Sequence, residues 1–344
     1  MLNKVEYFNS LNLSTFEFLK KYTQIGVLVD ENTKLHCYPL VKDFLPNHFL
    51  IEIPSGEENK HLETCVSVWK KMTDFQFDRK AVLLNLGGGV IGDLGGFCAS
   101  TYKRGIDFYQ IPTTLLAQVD ASVGGKLGID FLQFKNHIGV FNLPKNVLIY
   151  PDFIKTLSFR ELRSGFAEVL KHCLIADKEE WKNITQKSLQ EQNWSEIIPH
   201  SVKIKSNIVE QDPKESGLRK ILNFGHTIGH AVESYFLRQG IHKKLLHGEA
   251  IAVGMIAEAY LSHLKCGLSI EEVNEISAYF LMTYGKILIT NSELTYLYDY
   301  MLQDKKNEGK SVRFALLPKI GECLFDIEAN RSEIEKSLNY YQQL

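Results

Sequence analysis

The chain has 344 residues, with Lys+Arg 39 against Asp+Glu 41 and a formal charge of −2. That length suits two domains of roughly 150 residues each, and the even charge excludes a broadly basic nucleic-acid or anionic-membrane binder. A hydrophobic content of 44% excludes wholesale disorder, and no apolar run approaches the ~20 residues that span a bilayer.

The opening stretch, MLNKVEYFNSLNLSTFEF, is polar and interrupted, unlike a secretory signal. IGVLVD (25–30) reads as a strand that ends in an acid, Asp30. HFLIEI (48–53) is a second, followed by a helical stretch from Glu58 to about Asp74. KAVLLNL (80–86) is a third and runs straight into glycines. DFYQIP (107–112) and NVLIYP (146–151) complete the set. Strands separated by helical stretches predict a parallel sheet with helices on its faces. The character changes near Pro151 to Ser158. LSFRELRSGFAEVLKHCLI (157–175) opens with Ser158 and Glu161 at capping-box spacing and continues as an amphipathic helix. Further helices are predicted at about 195–212, 218–237, 247–265, 270–284 and 291–303, with a strand-like tail, SVRFALLP, at 311–318. Six cysteines (Cys37, Cys65, Cys98, Cys173, Cys266 and Cys323) are scattered without a C-x-x-C pair. That pattern excludes a zinc ribbon or redox dithiol and suits a reducing cytoplasm.

The segment GGGVIGDLGG (87–96) satisfies G-x-G-x-x-G through Gly87, Gly89 and Gly92, between a strand and a helix. Without Cβ atoms, backbone N–H groups can approach a phosphate at the helix N-terminus. The segment follows the third predicted strand, and no acid sits about 20 residues downstream, so the standard Rossmann label weakens. Asp30 offers a ribose contact from upstream instead.

LNFGHTIGHAVE (222–233) puts His226 and His230 four residues apart, on one helical face. His247 begins the next helix in LLHGEA, and Glu168 lies in GFAEVLKH. One carboxylate with two imidazoles is a zinc set that leaves a coordination position open. The spacing leaves open which two of the three histidines bind. Cations gather in unusual company: Lys126 and Lys135 in glycine-rich contexts, Lys171 one turn after Glu168, Lys205 on the preceding helix, and Lys305 and Lys306 in DKKNEGK. Arg219, seven residues before His226, is expected about two helical turns away. Together they predict a multiply anionic small substrate carrying carboxylate or phosphate.

GGGVIGDLGGFCASTYKRG, IPTTLLAQVDASVGGKLGID, KNHIG, SGFAEVLKH, GLRKILNFGHTIGHAVE and LHGEAIAVGM together resemble the 3-dehydroquinate synthase family, in order from about 55 through 310. The resemblance implies an α/β NAD-binding domain with a mostly parallel sheet over 1–155, and an all-α metal- and substrate-binding domain over 156–344. It implies NAD held by Asp30, Glu57, Lys60, Gly89, Val90, Ile91, Gly92, Asp93, Thr113, Thr114, Phe153 and Thr156. Lys126 belongs to both cofactor and substrate, and Lys135 to the nicotinamide end. It assigns Zn2+ or Co2+ to Glu168, His226 and His247, which leaves His230 for substrate phosphate and proton handling. Asp120, Lys126, Asn136, Lys171, Lys205, Arg219 and Asn223 would grip the substrate. Arg104 would reach across a homodimer interface, and Lys306 or Lys310 would complete the set.

The implied reaction turns 3-deoxy-arabino-heptulosonate 7-phosphate into 3-dehydroquinate and phosphate, in the shikimate route to chorismate and the aromatic amino acids. The implied setting is cytoplasmic, with neither nucleic acid nor membrane as partner. Two departures stand out: the stretch from His230 to His247 is longer than usual, and His137 takes the place of an apolar residue. Two other enzyme readings share the fold: a metal-dependent polyol or glycerol dehydrogenase, and a sibling sugar-phosphate cyclase. Lys205, Arg219, Asn223 and His230 fit the dehydroquinate pattern.

Overall fold

The structure is a computed structural model and describes residues 4–132, 134–240, 244–302 and 312–344. It divides into two compact units, Met1–Leu162 with Trp194–Val202, and Arg163–Asn193 with Lys203–Leu344.

In the first unit the elements run β1 (Val5–Tyr7), β2 (Ile25–Asp30), α1 (Glu31–His36), β3 (Phe49–Ile53), α2 (Leu62–Asp74), β4 (Val82–Gly87), α3 (Gly89–Thr101), β5 (Asp107–Pro112), β6 (Lys126–Phe131), β7 (Phe134–Phe141) and β8 (Val147–Ile149). Six of these strands form one sheet in the order β1-β8-β5-β4-β2-β3, with every pair parallel. The apolar runs explain it. Val27, Leu28 and Val29 are all fully buried, as are Val82, Leu83 and Leu84. Successive strand residues point to opposite faces, so an unbroken apolar run requires cover on both. Leu28, Ile51, Leu83 and Phe108 pack with α2 and α3 on one face. Val27, Val29, Val82 and Leu84 pack on the other, with Phe16 and Leu19 from a short 3-10 helix.

The chain runs from β2 outward to β3, then returns to place β4 on the other side of β2. That reversal is the point at which open α/β sheets form a ligand crevice beyond the carboxyl ends of the strands. Asp30 ends β2 there and Gly87 ends β4. Two features were absent from the expected pattern. The three-residue edge strand β1 makes the glycine segment follow the fourth strand. An antiparallel hairpin, β6–β7, sets Gly128 opposite Gly139.

The second half contains α4 (Phe159–Ala176), α5 (Lys178–Thr185), α6 (Trp194–Gln211), α7 (His226–Arg238), α8 (His247–Cys266), α9 (Ile270–Tyr284), α10 (Asn291–Leu302), β9 (Val312–Lys319), β10 (Glu322–Ala329) and α11 (Arg331–Gln343). It is mostly helical rather than wholly so: the strand-like tail is β9, paired antiparallel with β10. The helix expected over 218–237 is broken. A 3-10 turn covers Leu218–Asn223, Gly225 adopts φ +80°, and α7 begins at His226. Arg219 therefore does not lie two turns below His226 on one helix. Among the described residues no helix is long and apolar enough to cross a membrane, and the six cysteines are free thiols.

Candidate functional site

In the second unit α4, α7 and α8 approach until their backbones touch. A Cβ on Gly248 would stand 2.0 Å from the Ser164 carbonyl oxygen, and one on Gly254 would stand 1.9 Å from that of Gly225. Only glycine permits such contact. Polar ties fix the approach of α8 to α4: the Gly248 N–H donates to Ser164 Oγ at 3.0 Å, and Arg163 pairs with Glu249 at 3.0 Å. Glu249 also accepts from the Leu246 N–H at 2.9 Å, capping α8.

This arrangement brings three predicted ligands to one point. Glu168 is fully buried on α4. His226 and His247 are the first residues of α7 and α8. Both present Nε2 at 3.5 Å from the same oxygen, Glu168 Oε1, and the three ligand atoms lie within 4.8 Å of one another. The opposite ring nitrogens are held as metal-bound imidazoles require. His226 Nδ1 lies 3.1 Å from the Phe224 carbonyl, which can only accept, so this nitrogen carries the proton and Nε2 the lone pair. His247 Nδ1 lies 3.6 Å from Glu233 Oε2. Burial and the neighbouring Lys171 push His226 well below the ordinary histidine range, against the pull of Glu168. Burial also pushes His247 down, but the Glu168 and Glu233 carboxylates more than offset it and hold it up at about 10. The two shifts run in opposite directions, and the case for a cation rests on the donors themselves, one carboxylate and two imidazole Nε2 atoms around one point. The donor set fits such an ion.

Lys171, buried one turn along α4, pairs with Glu168 Oε2. The His230 ring lies 5.1 Å from that of His226 and 5.9 Å from that of His247. His230, Glu233 and His247 form a second, overlapping group. Glu233 escaped the sequence reading. Its signal was there, three residues after His230 and seven after His226, on one helical face. Lys205 is buried on α6. Arg219 is buried too, and its guanidinium donates to the Pro213 carbonyl at 2.7 Å. The loop before it is organised by Asp212, which accepts from the N–H groups of Ser216 (3.0 Å), Gly217 (2.7 Å) and Arg219 (3.1 Å). Burial raises the Asp212 carboxyl, but these N–H groups outweigh it and bring it down to about 2. Asn223 donates to Glu215 at 2.7 Å, and Glu215 itself adopts φ +60°.

In the first unit the glycine segment forms the β4–α3 turn. Gly88 is the α3 N-cap, with no side chain capping it, and Gly89, Val90 and Ile91 form the first turn. A Cβ on Gly88 would meet Thr114 at 3.1 Å, and the Thr113 N–H donates to the Gly87 carbonyl at 3.0 Å. Asp30 caps α1, accepting from the Thr33 N–H at 2.7 Å. Lys60, 3% exposed, donates to Asp93 and to Asn136 at 2.6 Å each, with Glu57 at 3.9 Å. Burial would lower this ammonium, but Asp93, Glu57 and Asp130 hold it well above the usual lysine range. Two sequence-predicted groups, one for cofactor and one for substrate, therefore meet at Lys60. Gly92 accepts through its carbonyl from Gln110 at 2.9 Å. Phe153 is buried, and its carbonyl accepts from Thr156 Oγ1 at 2.7 Å. Asp120 is half-buried on a π-turn, Ala117–Ala121. Lys126, Lys135, His137 and Arg104 are exposed, Arg104 with φ +69°. Lys305, Lys306 and Lys310 lie outside the described residues.

Comparison with known proteins shows the family. The model described as 3-dehydroquinate synthase N-terminal matches residues 50–164, and 3-dehydroquinate synthase C-terminal matches 165–307. A 3-dehydroquinate synthase of Parabacteroides distasonis is 40% identical over 94% of this chain and 92% of its own length. That of Clostridium beijerinckii is 41% identical over 92% and 91%. Among solved structures, a 2-epi-5-epi-valiolone synthase from Streptomyces hygroscopicus subsp. jinggangensis, with NAD+ and Zn2+ bound, is similar with TM-score 0.88 and 25% identity, over 100% of this chain and 97% of that one. An iron-containing alcohol dehydrogenase from Thermotoga maritima, at 14% identity, TM-score 0.67 and coverage of 100% and 99%, shares the fold alone. With both family models matched in order across the two halves, the chain belongs to the 3-dehydroquinate synthase family.

Proposed function

We propose that this chain converts 3-deoxy-arabino-heptulosonate 7-phosphate to 3-dehydroquinate and phosphate, as a carbon–oxygen lyase of the shikimate pathway. NAD and Zn2+ or Co2+ are its cofactors, and a cytoplasmic homodimer is its working form. The observation that carries the reading is the meeting of a buried carboxylate, Glu168, with the Nε2 atoms of His226 and His247, in a chain of this family. When bound, the metal supplies a Lewis acid and NAD a reversible hydride acceptor.

The chain's own residues do the rest. Glu168, His226 and His247 hold the metal, with the Phe224 carbonyl and Glu233 fixing the two rings. In the nucleotide half, 1–155, Asp30, Glu57, Lys60, Gly89 to Asp93, Thr113, Thr114, Lys126, Lys135, Phe153 and Thr156 hold the cofactor. Asp120, Lys126, Asn136, Lys171, Lys205, Arg219 and Asn223 grip the sugar acid. Holding one conformer lowers the entropic barrier to ring closure. His230 receives the phosphate and handles its proton. Arg104 serves the partner's site in the homodimer, and Lys306 or Lys310 adds a further cation. Relatives that are 40% and 41% identical and carry the synthase name support this reading.

The test supplies the heptulosonate phosphate with catalytic NAD and Zn2+. Phosphate release should equal dehydroquinate formed, with no NADH accumulating. Stoichiometric NADH would instead assign the chain to the dehydrogenases that share its fold, and absence of phosphate release would overturn the lyase assignment.

A further inference from the structure

Glu258 is fully buried on α8, about three turns after His247. Its carboxylate turns to the start of α7. Oε2 accepts from the Gly225 N–H at 2.6 Å, and Oε1 accepts from the Ile228 N–H at 2.9 Å. Gly225 is the N-cap of α7 and Ile228 its third residue, and His226 stands between them. A helix start carries orphan N–H groups and a partial positive charge, and a carboxylate answers both. The N-cap is a glycine, so no side chain at that position can do so. Gly225 is further constrained by its φ of +80° and by Gly254, whose Cβ would strike its carbonyl. One helix thus carries His247 at its first residue and, farther along, the group that grips the backbone on either side of His226.

We infer that Glu258 is a positioning residue for the histidine pair: by clamping the N–H groups that flank His226, it sets where His226 Nε2 stands relative to His247 and Glu168. This rests on the metal reading given above. Of the other buried carboxylates of this region, Glu168 and Glu233 face the imidazoles directly and Glu249 pairs with Arg163 and caps α8, whereas Glu258 grips the backbone on either side of His226.

The experiment measures zinc affinity by competition with a chromophoric chelator, for the wild-type chain, Glu258→Gln and Glu258→Asp, each with and without His226→Ala. Metal-free thermal unfolding and far-UV circular dichroism are recorded alongside. Glutamine keeps the size but turns an NH2 toward one of the two N–H groups. Its expected effect is zinc binding weakened about 10- to 100-fold, the range for partners that orient metal ligands. Aspartate keeps the charge and should lose less. In the His226→Ala background neither change should weaken binding further. If Glu258→Gln fails to fold, Glu258→Asp carries the same comparison. Unchanged affinity in the folded variants, or an equal further loss without His226, overturns the role of Glu258 while the metal reading stands. A wild-type chain that takes up no zinc overturns both.

Discussion

His247 Nδ1 and Glu233 Oε2 lie 3.6 Å apart, on the nitrogen opposite the one that faces Glu168. The carboxylate favours a proton on Nδ1, so Nε2 is the nitrogen that would give up its proton to a metal. Glu233→Gln should therefore weaken divalent-metal affinity about 10- to 100-fold and leave metal-free melting nearly unchanged. Equal affinity, read by chelator competition, would show that Glu233 does not orient the ring.

Metal binding should also appear in stability. A ligand that binds only the folded chain at 100 times its Kd stabilises by about 2.7 kcal/mol, which is roughly 5–10 °C in Tm for a domain of ~150–250 residues. Chelation should lower Tm by that order, and zinc should restore it. Glu168→Ala should abolish both this metal-dependent shift and turnover. A persistent shift in that variant would refute Glu168 as a ligand.

Arg219 sits on a 3-10 turn whose backbone is held by Asp212. Arg219→Ala should reduce kcat/KM for the sugar acid phosphate by roughly 10- to 150-fold, equivalent to a charge-assisted hydrogen bond of about 1.5–3 kcal/mol. The loss should fall mainly on KM. An unchanged kcat/KM would show that Arg219 does not hold the carboxylate.

The sign of the Asp212 effect follows from its lowered carboxyl, about 2 when folded against an ordinary 3.8. A group depressed in the folded state stabilises above its unfolded value and loses that contribution as pH falls through the folded one. Asp212→Asn should be less stable than wild type at neutral pH. The gap should narrow below about pH 4 and close near pH 2. A gap independent of pH, in denaturant midpoints across that range, would contradict the charge argument.

Gly248→Ala would set a methyl 2.0 Å from the Ser164 carbonyl oxygen. Backbone cannot swing aside as a side chain can, so α4 and α8 must separate. The expected cost is about 1–3 kcal/mol or more, with zinc affinity lowered as Glu168 and His247 part. A variant with wild-type Tm and affinity would show that the contact is not needed.

Much of this was legible in the residues. β2, β4 and β5 are six-residue, mostly apolar segments, and their bounds differ from the expected ones by two residues at most. What escaped had physical reasons. Val5–Tyr7 is too short for a period to show and is ordered by pairing with β8, far along the chain. In the β6–β7 hairpin Gly128 faces Gly139, where side chains would otherwise announce a strand. The break at Gly225 lies within an unbroken helical pattern, because one left-handed residue alters the backbone without altering the apolar spacing. Glu168, His226 and His247 were readable as ligand types, but the spacing left open which two of the three histidines join Glu168, and the resemblance supplied the set that the structure brings within 4.8 Å. Glu233 and Glu258 read as ordinary helix carboxylates. Glu233 shares a helical face with His226 and His230, a spacing that was there to be read, whereas Glu258 gains its meaning from a helix start more than thirty residues before it, which no local pattern encodes.

The two compact units are interleaved along the sequence: the first, having run to Leu162, takes back Trp194–Val202 after the second has begun. No single cut therefore parts the two with both left whole. During synthesis the earlier unit is complete only once the chain has passed Val202, after a stretch belonging to its neighbour has been made. A cut near residue 162 should separate Trp194–Val202 from the rest of the first unit, and one near residue 202 should separate Arg163–Asn193 from the rest of the second; gene fragments ending near residue 162 should therefore yield an incomplete first unit.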